Sequence, residues 1–203
     1  MATPTVLIRF HYYKPDSSKR SSYGSANKEN DYLNYVDTGV KSGKYQDYMD
    51  YSGNKEKSSG VFNQNGLLSE KEKKEVRETL RNSQGVIWDG VISFEEKYGK
   101  EKLKNWKDAQ KLLVNTLPSF LRANNMTLEN TLWFAGLHEN TDNRHIHLLL
   151  NELKPIHINP DTKKTSYHNG LLKQISIDDM KVRVQNTESP ECLQRHRQGT
   201  RVL

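Results

Sequence analysis

The ten residues His138-Glu-Asn-Thr-Asp-Asn-Arg-His145-Ile-His147 hold three of the chain's seven histidines and run straight into Leu148-Leu149-Leu150. In a β-strand successive side chains alternate between faces, so His145 and His147 project the same way, roughly 7 Å apart along the strand. Ile146, Leu148 and Leu150 then point to the other face, into a core. The preceding run Thr131-Leu-Trp-Phe-Ala-Gly-Leu137 has strand composition and delivers His138 at its end. The link from Glu139 to Arg144 contains Asn140, Asp142 and Asn143, which favour turns, so the two runs are expected to form a hairpin that returns His138 to the other two. Three neutral imidazoles with no cysteine nearby can hold a transition-type divalent ion and leave positions open for water or a phosphate oxygen. That is the donor set of a catalytic rather than a structural site. The bland alternative, polar residues on the wet face of an edge hairpin, suits a lone histidine better than a His-x-His pair with a third in reach. A zinc-protease arrangement fails on spacing, since Asp142 stands where the second histidine of His-Glu-x-x-His would be.

The elements that must position this hairpin are legible in outline. Thr5 to Tyr13 alternates and β-branches as a first strand, and Lys14 to Lys28 is a basic, Ser- and Gly-rich connection. Tyr32, Leu33, Tyr35 and Val36 fall at helical spacing before a stop at Asp37-Thr-Gly39. Lys41 to Asn65 shows no steady period and is expected to be a long loop or flap. Ser69-Glu-Lys-Glu72 is a capping box opening a helix that reaches about Asn82, and Gly85 to Phe94 reads as a core strand. From Glu101 to Asn124, Leu103, Trp106, Ala109, Leu112, Leu113, Leu117, Phe120 and Leu121 predict one amphipathic helix, bent or broken near Pro118. Ile156 to Asn169 reads as a turn or short hairpin and Ser176 to Val184 as the start of a polar helix.

These elements predict an α/β chain of α+β type, with a central, mainly antiparallel sheet, helices mostly on one face, and a histidine face not fully covered. Its 203 residues suffice for one sizeable domain, with 1–155 expected as the catalytic part and 156–203 as a C-terminal extension of the same domain. The basic end, with Arg195, His196, Arg197 and Arg201, suggests a domain excised from a longer protein. Only 33% of residues are hydrophobic and mean hydropathy is -0.91, so the core is modest. The 31 Lys and Arg against 25 Asp and Glu give a net charge of +6 and a pI near 9.2, which suits a polyanionic partner. Cys192 is the single cysteine, which excludes a disulfide framework. No signal pattern or membrane-length apolar run is present, so a cytoplasmic protein without membrane attachment is expected.

The order of a tyrosine-bearing segment, a strand and then His-x6-His-x-His resembles the relaxases of the HUH endonuclease superfamily, in particular a MobL-like branch of the Mob-type relaxases. The residues that carry the likeness are Asp31-Tyr-Leu-Asn-Tyr-Val-Asp37, Tyr48-Met-Asp50, Glu56-Lys-Ser-Ser-Gly-Val-Phe62, Trp88-Asp-Gly-Val-Ile-Ser-Phe94 and His138 to His147, between about residues 5 and 153. The resemblance implies strand-specific nicking of single-stranded DNA at an origin of transfer for conjugative transfer or mobilisation, through a 5′-phosphotyrosyl intermediate. It implies His138, His145 and His147 as metal ligands and Tyr32 as nucleophile, with Tyr35, one turn on, as the alternative nucleophile. A divalent ion, Mn2+ or Mg2+ with Zn2+ also possible, is the expected cofactor. The implied partners are an origin-of-transfer hairpin together with accessory relaxosome and coupling proteins. The chemistry is coherent, because a tyrosine with an ordinary pKa near 10 needs its proton removed and the phosphate's charge offset before it attacks.

Asp89, on a strand expected beside the histidines, is a candidate to orient an imidazole or accept the tyrosine proton, with a turn carboxylate beside Gly90 as its other reading. Arg9, Lys14, Arg20, Lys41, Lys44, Tyr45 and Tyr48 are candidate DNA contacts, since positive charge tracks phosphates and exposed aromatics stack unpaired bases. His11 and His157 have no partner at useful spacing in sequence. The competing functions are a rolling-circle replication initiator, a DNA-binding module with a structural metal or none, and a metal-dependent hydrolase that activates water.

Overall fold

Strand β1 (Val6–Tyr13) turns Val6, Ile8 and Phe10 toward the main core and leaves Leu7, Arg9 and His11 on its other face. Such period-two sorting organises a six-stranded antiparallel sheet, completed by β2 (Ser58–Asn63), β3 (Gly66–Leu67), β4 (Ile87–Phe94), β5 (Thr131–His138) and β6 (His145–Glu152) in the order β1-β4-β6-β5-β2-β3. The computed structural model describes residues 5–14, 58–139 and 142–186, in which four helices accompany the sheet: α1 (Glu70–Asn82), α2 (Glu96–Lys102), α3 (Trp106–Ala123) and α4 (Gln174–Gln185). The fold is α+β. A small second hairpin, β7 (His157–Ile158) with β8 (Thr165–Ser166), occupies the segment expected to turn or pair.

One sheet face carries the larger core. Trp88, Ile92, Trp133, Leu137, Ile146, Leu148 and Leu150 pack there against Leu113, Leu117, Phe120 and Leu121 of α3 and Met180 and Val184 of α4. At about 1.5–3 kcal/mol for each large apolar side chain withdrawn from water, this layer supplies most of the favourable burial. The extension beyond residue 155 therefore contributes to the same core through α4. Gly90 sits opposite Phe10 in the β1–β4 ladder, and a Cβ there would meet the Phe10 ring at 2.5 Å. Its bare backbone lets Phe10 lie across β4 and stack on Phe120, with ring centroids 5.1 Å apart.

The opposite face is divided. Ile87, Leu149, Phe134 and Val61 form a second apolar cluster with Val76 and Leu80 of α1. The capping box holds the start of that helix: the Ser69 hydroxyl accepts from the Glu72 N–H at 3.3 Å, and the Glu72 carboxylate accepts from the Ser69 N–H at 2.7 Å. The other half of this face carries the histidines.

Two expectations about elements are corrected. The single helix over 101–124 is two helices: α2 ends at Lys102, and Asn105 caps α3 by accepting from the Lys107 N–H at 2.9 Å, while Asp108 accepts from the Lys104 and Asn105 N–H groups. The local capping chemistry at Asn105 outweighs the continuous apolar period. Pro118 stays inside α3, and the bond it cannot make would fall on Val114, a residue 42% exposed, where water can serve the carbonyl. The loop expected to run to Asn65 gives way at Ser58 to β2, which pairs with β5 and returns through Asn63-Gln-Asn-Gly66 to β3. That strand has no alternation of its own; it is held by the ladder and by burial of Val61 and Phe62.

Candidate metal centre on the sheet face

The β5–β6 register sets His138 directly opposite His145, and His147 lies two residues on, opposite Gly136. Partners in an antiparallel ladder share a face, so all three imidazoles project from one side of the hairpin. Their ring centroids are 5.0 Å apart for His138 and His145, 4.7 Å for His138 and His147, and 5.0 Å for His145 and His147. One nitrogen from each ring lies within 4.8 Å of the others. His138 is buried and the other two are half-buried, which leaves one side of the cluster open.

Two features suit the donor set to a metal. The His145 Nδ1 lies 3.1 Å from the Asn143 carbonyl, which can only accept, so this contact favours the tautomer with its proton on Nδ1 and its lone pair on Nε2. Burial first, and then the charges of His138 and His145, hold His147 down at about 3, so its ring is neutral at any ordinary pH. Neutral imidazole is the form that ligates.

The hairpin is fastened at its loop end by Arg144, which sequence reasoning did not single out. Its guanidinium donates to the Leu103 carbonyl, just past α2, and approaches Glu139 at 4.0 Å, while its own carbonyl accepts from the Phe94 N–H at 3.0 Å. Glu139 follows His138 and Arg144 precedes His145, so one side chain ties both ligand-bearing strands to the helix layer. An arginine within a turn segment carries no sequence signal for this role.

Asp89 is buried in the middle of β4, opposite His11 on β1 and Leu149 on β6, on the histidine face. The reading of Asp89-Gly90 as a turn is thereby corrected: the ladder runs unbroken through both residues. The register sets Asp89 diagonal to His147, and it sets His11 beside Asp89, so His11 does have a neighbour of chemical interest. His157 is likewise partnered, its Nε2 lying 2.7 Å from Glu152, whose other oxygen accepts from the His168 N–H at 2.7 Å. That group is at the far end of β6 on the other face, away from the three histidines. Arg9 shares the histidine face, whereas Lys14 lies past the end of β1 with its Nζ 6.0 Å from the Tyr12 ring centroid. Tyr32, Tyr35, Arg20, Lys41, Lys44, Tyr45 and Tyr48 lie outside the described residues.

A family model described as MobL relaxases matches residues 13–199. The chain belongs to the MobL relaxases. The match covers most of the chain and extends past residue 153, where the sequence likeness was expected to stop. No curated protein and no solved structure matches. Membership makes this chain a relaxase, a DNA-nicking enzyme that binds single-stranded DNA, and no helix among the described residues is long and apolar enough to cross a membrane.

Proposed function

We propose that this relaxase nicks one DNA strand at an origin of transfer by tyrosine transesterification, serving conjugative transfer or mobilisation from the cytoplasm. The observation that carries the reading is the convergence of His138, His145 and His147 on one open sheet face in a MobL chain. In it, His138, His145 and His147 hold a divalent ion, Mn2+ or Mg2+ with Zn2+ as the alternative. When bound, the ion supplies positive charge to the non-bridging oxygens of the scissile phosphate.

Tyr32 is the proposed nucleophile, with Tyr35 as the alternative. Its phenolic oxygen bonds to phosphorus, the bond to the 3′ oxygen breaks, and that oxygen leaves as a 3′-hydroxyl after protonation. The 5′ end remains as a phosphotyrosyl ester. Asp89 is the proposed acceptor for the tyrosine proton, because its carboxylate sits on the histidine face one diagonal step from His147. The phosphotyrosyl bond keeps the energy of the cleaved ester for later rejoining. Accessory relaxosome and coupling proteins, and an origin-of-transfer hairpin, are the proposed partners.

Incubation with a labelled single-stranded oligonucleotide spanning the nick site, with and without Mn2+ or Mg2+, tests the proposal. A denaturation-resistant protein–DNA adduct that requires the ion, persists in Tyr35→Phe and is lost in Tyr32→Phe supports it. Cleavage without an adduct would favour a water-activating hydrolase, and DNA binding with neither cleavage nor metal uptake would leave a binding module.

A further inference from the structure

We infer that Arg9 forms a second anion subsite on the histidine face, holding the DNA phosphate next to the scissile one. The inference rests on the relaxase reading proposed above. β1 pairs with β4 and β4 with β6, and the registers Arg9↔Val91 and Val91↔His147 place these three residues in one row across the sheet. Residues in such a row share a face, so the Arg9 side chain leaves the sheet on the side from which His147 projects. Two strand spacings separate Arg9 from His147, roughly 10 Å at the backbone. An arginine side chain is long enough to span much of that distance, which brings a phosphate held by its guanidinium to about one nucleotide from the cluster.

The intervening Val91 is half-buried and short, so it raises no wall between them. Arg9 is exposed on the edge strand and forms no ion pair with the described carboxylates, and its neighbours on that face, Leu7 and His11, are exposed as well. An open guanidinium in line with a metal-ligand set is complementary to the repeating negative charge of a single strand running across the strands of the sheet. The other described cations named for this role or found near the site are differently placed. Lys14 lies just past the end of β1, five residues beyond Arg9 and so roughly 17 Å from the histidine row, against the Tyr12 ring. Arg144 is engaged by Leu103 and Glu139.

The test is a chemical double-mutant cycle with single-stranded oligonucleotides spanning the nick site. In one series a neutral methylphosphonate replaces each phosphate in turn; wild type, Arg9→Gln and Arg9→Lys are compared for binding in chelator, where no cleavage occurs, and for adduct formation with Mn2+. In wild type, neutralising the phosphate adjacent to the scissile one is expected to weaken binding several-fold. In Arg9→Gln the same substitution has no further effect, and the slope of log affinity against log salt shrinks by about 0.7, the value for one phosphate contact on a single strand. Arg9→Lys is expected to restore the slope. Since Arg9 is exposed, Arg9→Gln is expected to keep the wild-type circular dichroism spectrum. An unchanged slope and affinity in Arg9→Gln overturns the subsite, and a methylphosphonate effect undiminished in that variant overturns its position. Failure of the relaxase reading shows separately, as absence of an adduct from wild type whatever the binding slopes.

Discussion

Acidification of the metal-free protein isolates the electrostatic state of the histidine cluster. In the unfolded chain His147 takes up a proton near its ordinary 6.5, whereas in the folded protein burial, then the neighbouring His138 and His145, push it down to about 3. Between those values the unfolded state binds a proton that the folded state refuses. Stability contributed by the neutral ring is therefore complete above pH 6.5 and is lost as pH falls toward 3. At 1.36 kcal/mol per unit, the loss from pH 7 to pH 5 is about 2 kcal/mol. Urea denaturation in chelator at the two pH values, for wild type and His147→Gln, measures it. Wild type should lose about 2 kcal/mol more than the variant, whose amide does not titrate. An equal loss in both proteins would refute the argument, because it would mean that His147 protonates as readily folded as unfolded.

A hundredfold excess of Mn2+ over its Kd should raise stability by about 2.7 kcal/mol at pH 7, and His138→Ala should abolish that gain in the same denaturation assay. Arg144→Ala should lower metal affinity about tenfold or more by calorimetry while leaving the circular dichroism spectrum unchanged, as expected of a group that orients ligands without touching the ion. Phe120→Ala should cost about 3–5 kcal/mol in chemical denaturation, since the ring is buried and stacked on Phe10.

Where local chemistry decides an element, the sequence and the fold agree closely. The Ser69–Glu72 capping box starts α1 where its residues predict, and alternation from His145 to Leu150 sorts ligands from core, because side-chain direction in a strand has period two. The agreement weakens where a local signal competes with a periodic one, as at Asn105, whose cap divides what apolar spacing reads as one helix. It fails at β2, where Ser58 to Asn63 has no pattern of its own and becomes a strand through its partner β5.

The amino-acid sequence by itself determined the His-x-His pair, the turn-forming link that makes a hairpin, and hence a cluster with metal-ligand chemistry. Only the tertiary structure decided what stands beside that cluster. Asp89, His11 and Arg9 join the histidine face, Lys14 lies at the far end of β1, and Arg144 anchors the hairpin to the helix layer. The physical reason is that pairing register is non-local. A shift of one residue between β1 and β4, or between β4 and β6, would move each of these side chains to the other face, and burial of the two cores on either side of the sheet is what prevents it.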